Sequence, residues 1–103
     1  MPYWITDPGH AWLAVSLDSY PDALNYGTGF GFLDATNRMA YLEEDCEAPA
    51  FLLDHPELDA RALPVHAERM REASCRRLPS IPDRLDYDAF MARRRAQLEQ
   101  VTR

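Results

Sequence analysis

The sequence predicts an α+β fold: a small, mostly antiparallel sheet of three to four strands with two to three helices packed on one face, in a single domain over residues 1–103. Three observations predict it. Residues 10–17 alternate with the period of a half-buried strand, and residues 27–33 and 39–43 form two β-type runs separated by a polar turn. Two further stretches, from Glu47 and from Asp83, carry apolar residues at helical spacing. A chain of 103 residues can bury a core without metals or disulfides, and an apolar fraction of 47% excludes global disorder.

Asp7, Pro8 and Gly9 signal a turn. After it, Ala11, Leu13, Val15 and Leu17 fall on one face of a strand, with His10, Trp12, Ala14 and Ser16 on the other. Trp12 on the second face means that this face is not simply solvated. Residues 18–22 read as a loop or a short helix start, since serine and aspartate cap and Pro21 punctuates. Residues 27–33 and 39–43, joined by residues 34–38, read as a β-hairpin. Gly27, Gly29 and Gly31 share one face of its first strand, against which another backbone or an aromatic ring can lie. A phosphate-binding loop would place such glycines between a strand and a helix, whereas here a second strand follows.

From Glu47 onward, Ala50, Phe51, Leu53 and Leu58 form the stripe of a short amphipathic helix, widened by Leu52. Pro49 belongs in its first turn, where no N–H is needed, which fixes the start near residues 46–48; Pro56 ends it. Residues 60–78 stay open between helix and strand. Residues 62–73 favour helix, but Val65, His66, Ala67 and Glu68 alternate, and residues 74–78 before Pro79 suit an edge strand. Residues 83–101 close the chain as a helix capped by Asp83 or Asp86, with Tyr87, Phe90, Met91, Leu98 and Val101 as its stripe. Arg93, Arg94 and Arg95 lie past its midpoint, where the helix dipole favours cations.

The net charge of −6 is unevenly spread. Residues 1–59 hold eleven carboxylates against Arg38 alone, while residues 60–103 hold ten arginines against six carboxylates. That asymmetry implies a polarised surface, or two halves that neutralise each other across the fold, and neutralisation accounts for only part of the excess acid. Every cation is arginine, which pairs bidentately and stacks on rings; GC-rich coding produces the same bias. No apolar run approaches the roughly 20 residues of a membrane span. The N-terminus lacks the basic-then-apolar pattern of a signal peptide. Cys46 and Cys75 are expected as free thiols.

The densest feature is Glu43, Glu44, Asp45, Cys46 and Glu47, at the junction of a strand and a helix. Capping accounts for one acid, expected to be Asp45. A calcium loop would alternate its oxygens around a glycine, and zinc ligands would be closely spaced; neither pattern is present, so no metal or cofactor is expected. Cys46 as a nucleophile, with His10, His55 or His66 as base, is the enzymatic alternative. The surrounding carboxylates oppose its thiolate. Ordinary solvated acidity is the plainest alternative. The leading expectation is a non-enzymatic recognition surface of Glu43, Glu44, Asp45 and Glu47, with Trp12 and Tyr41 as interface-type aromatics, for a basic protein partner. Three consecutive arginines on an acidic chain leave too weak a phosphate footprint to expect direct nucleic-acid binding. Self-association as a structural homodimer through a sheet edge or the aromatics is a further alternative.

The string Tyr41-Leu42-Glu43-Glu44-Asp45-Cys46-Glu47-Ala48-Pro49-Ala50-Phe51 resembles a motif of small phage and plasmid proteins, in which a strand enters a Leu-Glu-Glu-Asp-Cys-acid-Ala sequence. His10-Ala11-Trp12-Leu13 and Arg77-Leu78-Pro79, with Arg76 before it, are similar to the flanking elements of those proteins. The likeness covers about half of the chain in patches and excludes the tail from Asp83. It implies a mobile-element context and a cytoplasmic location in a bacterial host. Small acidic proteins in that setting, anti-CRISPR proteins among them, bind and block nucleic-acid-handling machinery.

Overall fold

The structure, a computed structural model, describes residues 1–68 and 74–102. Its sheet is built around β2 (Ala11–Ser16), whose alternation buries Leu13 and Val15 on one face and Trp12 and Ala14 on the other. β1 (Tyr3–Thr6) and β4 (Met39–Glu43) pair antiparallel with it on either side. β3 (Phe32–Asp34) completes the expected hairpin with β4, and β5 (Val65–Ala67) joins β1 in parallel. The α+β sheet is therefore mixed and has five strands, in the order β3-β4-β2-β1-β5, rather than three to four. β1, which the sequence reading did not place, is four residues long, too short for alternation to be legible, while β5, three residues long, realises the strand alternative at Val65–Ala67.

Register sets Leu13 opposite Leu42 and Val15 opposite Ala40. Helix α1 (Glu47–Asp54) packs on that face, where Ala48 and Phe51 join the strands in a core with Leu17, Leu63 and Ile81. Full burial of a ring such as Phe51 contributes about 2–3 kcal/mol. The short-helix alternative for the segment after β2 is the one realised: a 3-10 helix at Pro21–Tyr26 inserts Ala23, and Tyr20 and Tyr26 meet Phe51 edge-on at 5.5 and 5.7 Å. The opposite face gathers Ile5, Trp12 and Ala14 with Tyr3, Phe32, Met39 and Tyr41, covered by Cys75 and Leu78. Cys75 comes from a 3-10 turn at Ser74–Arg77, in the stretch left open between helix and strand; the turn carries Arg76 back toward Asp7.

Helix α2 (Tyr87–Thr102) starts at Tyr87, with Asp86 Oδ1 accepting the Ala89 N–H at 3.1 Å. It lies against α1, burying Phe90 and pairing Arg93 with Asp54. The expected apolar stripe is thinner than its sequence implied: Tyr87 and Leu98 are exposed, and the side chain of Val101 lies outside the described residues. The helix favoured over residues 62–73 gives way to β5, and residues 69–73 lie outside the described residues. Across the two halves, Asp7 pairs with Arg76 and Asp54 with Arg93, which is the partial neutralisation the charge distribution implied.

β3 begins only at Phe32 because residues 27–31 leave the sheet as a loop. An extended strap over residues 79–85 runs along that loop. Leu33 N–H donates to Pro79 O at 2.8 Å, Ile81 N–H to Gly31 O at 2.9 Å, and Arg84 and Leu85 N–H to Gly27 O at 2.7 and 2.9 Å. A Cβ on Gly27 would stand 2.1 Å from Pro82 O, and one on Gly31 would stand 2.0 Å from a Glu47 oxygen. The glycines thus admit a backbone and a carboxylate at close range.

Candidate functional site

The first component is the turn before β2. Asp7 Oδ1 accepts the N–H groups of Gly9 and His10 at 3.0 and 2.9 Å, a side-chain-closed turn. The same carboxylate, with no exposed side-chain surface, takes Arg76 Nε and Nη2 at 2.9 and 3.2 Å. This bidentate pair holds the guanidinium carbon 4.9 Å from the Trp12 ring centroid, within cation–π range. Phe32 lies 6.1 Å from the same indole.

The second component is the β4–α1 corner. Glu43 Oε1 accepts the N–H groups of Asp45 and Cys46 at 2.6 and 2.8 Å, closing the turn before α1; the N-cap residue is Cys46 and makes no side-chain cap bond, so the cap expected of Asp45 is not formed. This oxygen arrives from the end of β4, two and three residues upstream of the N–H groups it satisfies. Glu47 is fully buried. Its Oε2 accepts Thr28 N–H and Oγ1–H at 2.6 and 3.0 Å, and its Oε1 accepts Glu43 N–H at 2.9 Å. A buried carboxylate persists only when bonded in this way, and the first turn of a helix favours its charge. Glu47 therefore fastens the glycine loop to the corner and is no part of an exposed acidic ridge. Glu44 is half-buried, 3.8 Å from His10 Nδ1. Asp45 is exposed, with no side-chain partner among the described residues.

The two components meet at a groove of about 400 Å³ lined by Trp12, Phe30 and Phe32, by Glu43, Asp45 and Cys46, and by His10 and Arg76. Phe30 presents its ring there while 71% exposed. The stretches 10–13, 41–51 and 76–79, far apart in sequence, each contribute to this corner or to its cover. Of the six residues expected to bind, Trp12, Glu43 and Asp45 line the groove and Glu44 stands between the latter two. Tyr41 does not. It sits opposite Ala14 and Phe32 in the sheet and lines a separate cleft of about 530 Å³ with Tyr3, Ile5 and His66. Burial first, then nearby Tyr3 and Asp34, raises its phenol pKa.

Phe30 and Arg76 are the lining residues that sequence reasoning missed. A signal for Phe30 was present: an aromatic between Gly29 and Gly31 is better suited to a loop tip than to a strand, and Gly29 has φ +89°. Arg76 had none, since its partner Asp7 lies 69 positions away. The Cys46 thiol has its pKa raised, by burial first and then by Glu43, Asp45 and Glu47, with Arg94 opposing. Cys75 is buried, which pushes its thiol up to about 11. Both cysteines are free.

The other end of α1 holds a second polar cluster. His55 Nε2 bonds Asp22 at 2.7 Å and Nδ1 bonds Glu57 at 3.0 Å, while the ring stacks on Phe51 at 4.2 Å. Burial acts to lower the imidazole pKa, but the bonds and charges of Asp22 and Glu57 outweigh it and raise the value above 6.5. Both ring nitrogens are occupied, which leaves neither for proton transfer to a substrate. Tyr26 Oη donates to Asp54 at 2.6 Å, and Arg93 pairs with the same carboxylate. The Arg93 bond is the largest influence holding Asp54 below 3.8.

Among the described residues no group of three or more His, Cys, Asp or Glu side chains is arranged to hold a metal ion, and no helix is long and apolar enough to cross a membrane. Compared with protein-family models, with curated proteins and with solved structures, the chain matches none.

Proposed function

We propose that this protein is a non-enzymatic binding protein whose β4–α1 corner docks on a basic protein surface. The partner class is a nucleic-acid-handling complex of a bacterial host, which docking would block in the manner of anti-CRISPR proteins, within the cytoplasm. The observation that carries the reading is the division of labour among the acids of the corner. Glu43 closes the turn before α1 and Glu47 anchors the loop, whereas Asp45 has no comparable duty and borders a groove with an exposed phenylalanine, with Glu44 next to it in sequence and 3.8 Å from His10. Unmatched charge beside an accessible aromatic ring is the chemistry of a docking surface, and it steers association in a salt-dependent way.

The cysteine reading has weaker support, because a thiol whose pKa is raised is a poor nucleophile at neutral pH. Cys46 is expected to be alkylated more slowly than a free model thiol. Faster alkylation would restore the enzymatic reading. Self-association has one observation in its favour: all three β5 residues are exposed, with Val65 at 64%. A concentration-dependent rise in mass by light scattering would support it.

The docking reading is tested by affinity capture from bacterial lysate, with the wild-type chain beside a Glu44→Arg/Asp45→Arg variant. The expected result is low-salt capture of a nucleic-acid-handling complex that is released by salt and lost in the variant. Equal capture by both chains would contradict the reading.

A further inference from the structure

Around Trp12 the chain already recognises one guanidinium. Arg76 lies 4.9 Å from the indole centroid while Asp7 takes its Nε and Nη2 at 2.9 and 3.2 Å. The arrangement combines an aromatic ring for a flat, weakly hydrated cation with a carboxylate for its fork of donors. Both ingredients recur in the groove that Trp12 and Arg76 themselves line. Phe30 offers a ring that is 71% exposed, and Glu43 and Asp45 line the same space of about 400 Å³. Asp45 has no side-chain partner among the described residues, and Arg76, the cation of the lining, is matched by Asp7. The groove is therefore net anionic as well as aromatic.

The loop that presents Phe30 is held from behind. Two Thr28 bonds to the buried Glu47 fix one side, and the Gly31 carbonyl receives the Ile81 N–H on the other. Gly29, at φ +89° with nothing within 4 Å of an added Cβ, turns the chain outward between them. The ring is thus presented on an anchored loop, which lowers the ordering cost of binding.

We propose that this groove is a socket for one arginine side chain of the partner, with the guanidinium stacked on Phe30 and bonded to Asp45. The proposal rests on the basic-partner reading above and narrows it from general positive charge to arginine. A lysine ammonium is compact and strongly hydrated, and can neither stack on the ring nor fork to a carboxylate. A volume of about 400 Å³ falls within the roughly 300–1,000 Å³ of small-ligand sites, so one side chain fits and a folded element does not.

The test is an amide-resolved NMR titration of the full chain with an otherwise uncharged hexapeptide bearing a single arginine, and with the same peptide bearing lysine. The expected result is perturbation centred on Trp12, Phe30 and Asp45, with the arginine peptide bound on the order of tenfold tighter than the lysine peptide. Phe30→Ala should abolish that preference while leaving the remaining spectrum in place, and Asp45→Asn should weaken both peptides. Equal, salt-sensitive binding of both peptides, unaffected by Phe30→Ala, would overturn the socket while leaving the acidic docking surface intact. Perturbation by neither peptide would overturn the socket, and loss of lysate capture would then decide the docking surface separately.

Discussion

At the C-terminal end of α1, Asp54 receives Tyr26 and Arg93, and His55 bridges Asp22 and Glu57 while stacking on Phe51. At the N-terminal end, a carboxylate cluster of comparable size is treated differently. Glu43 and Glu47 satisfy backbone N–H groups, Asp45 is left to solvent beside an exposed ring, and half-buried Glu44 has only His10, 3.8 Å away, as a partner among the described residues. The first cluster consists of partners, so its charges stabilise the fold. In the second, neighbouring like charges repel, and nothing within the described fold requires the outer two. Partnering, rather than charge density, separates acids that hold the structure from acids available to another molecule.

The comparison predicts a graded series of effects. Glu47→Ala should be the most damaging, destabilising by about 3 kcal/mol or more, because Thr28 and Glu43 N–H groups lose a buried charged acceptor. Chemical denaturation would measure it, and a loss no larger than that of a surface substitution would remove the anchor from the account. His55→Ala should cost about 1–3 kcal/mol through lost stacking and hydrogen bonds.

The same histidine gives the C-terminal cluster a pH signature. Its folded pKa is raised, so its contribution is fully present below 6.5 and is lost as pH rises through the higher folded value. Asp54 has the opposite sign: its folded pKa is depressed, and its contribution is present above 3.8 and lost as pH falls through the lower folded value. The unfolding midpoint should therefore decline above pH 6.5, and His55→Gln should flatten that decline. A slope unchanged by His55→Gln would assign the pH dependence elsewhere. The smallest effect on stability is expected from Glu44→Arg and Asp45→Arg, each leaving the midpoint within measurement error, since the Asp45 side chain is exposed and that of Glu44 has only a long, solvent-accessible contact with His10.

Much of this architecture was legible in the sequence, for reasons that differ by element. β2 declared itself because both of its faces are apolar and each alternates. Pro49 located the first turn of α1, because a residue without N–H is tolerated there. The hairpin was read correctly but its first strand too long: alternation in residues 27–31 reflects close approach of the strap and of Glu47, not pairing. β1 was hidden and β5 undecided against a helix, because a short parallel pair draws its stability from long-range register that no local pattern records.

In the site, charge density marked the right corner but could not rank its members. Asp45 looked like the cap because it stands close to the start of the helix, yet no side chain caps α1 and the longer Glu43 side chain reaches forward to close the turn before it. Glu47 looked available because glutamate is rarely buried, and Thr28, nineteen positions earlier, accounts for it together with the Glu43 N–H. Phe30 and Arg76 belong to the groove through contacts made in three dimensions.

The central claim is that the outer half of the acidic corner is held for binding while the rest holds the fold. Its most direct test is a paired measurement on a Phe30→Ala/Glu44→Arg/Asp45→Arg variant: the unfolding midpoint and the affinity for the single-arginine peptide. The account predicts a midpoint equal to that of the wild type, with peptide binding abolished. A midpoint lowered as far as that of His55→Ala, or binding that survives all three changes, would contradict it.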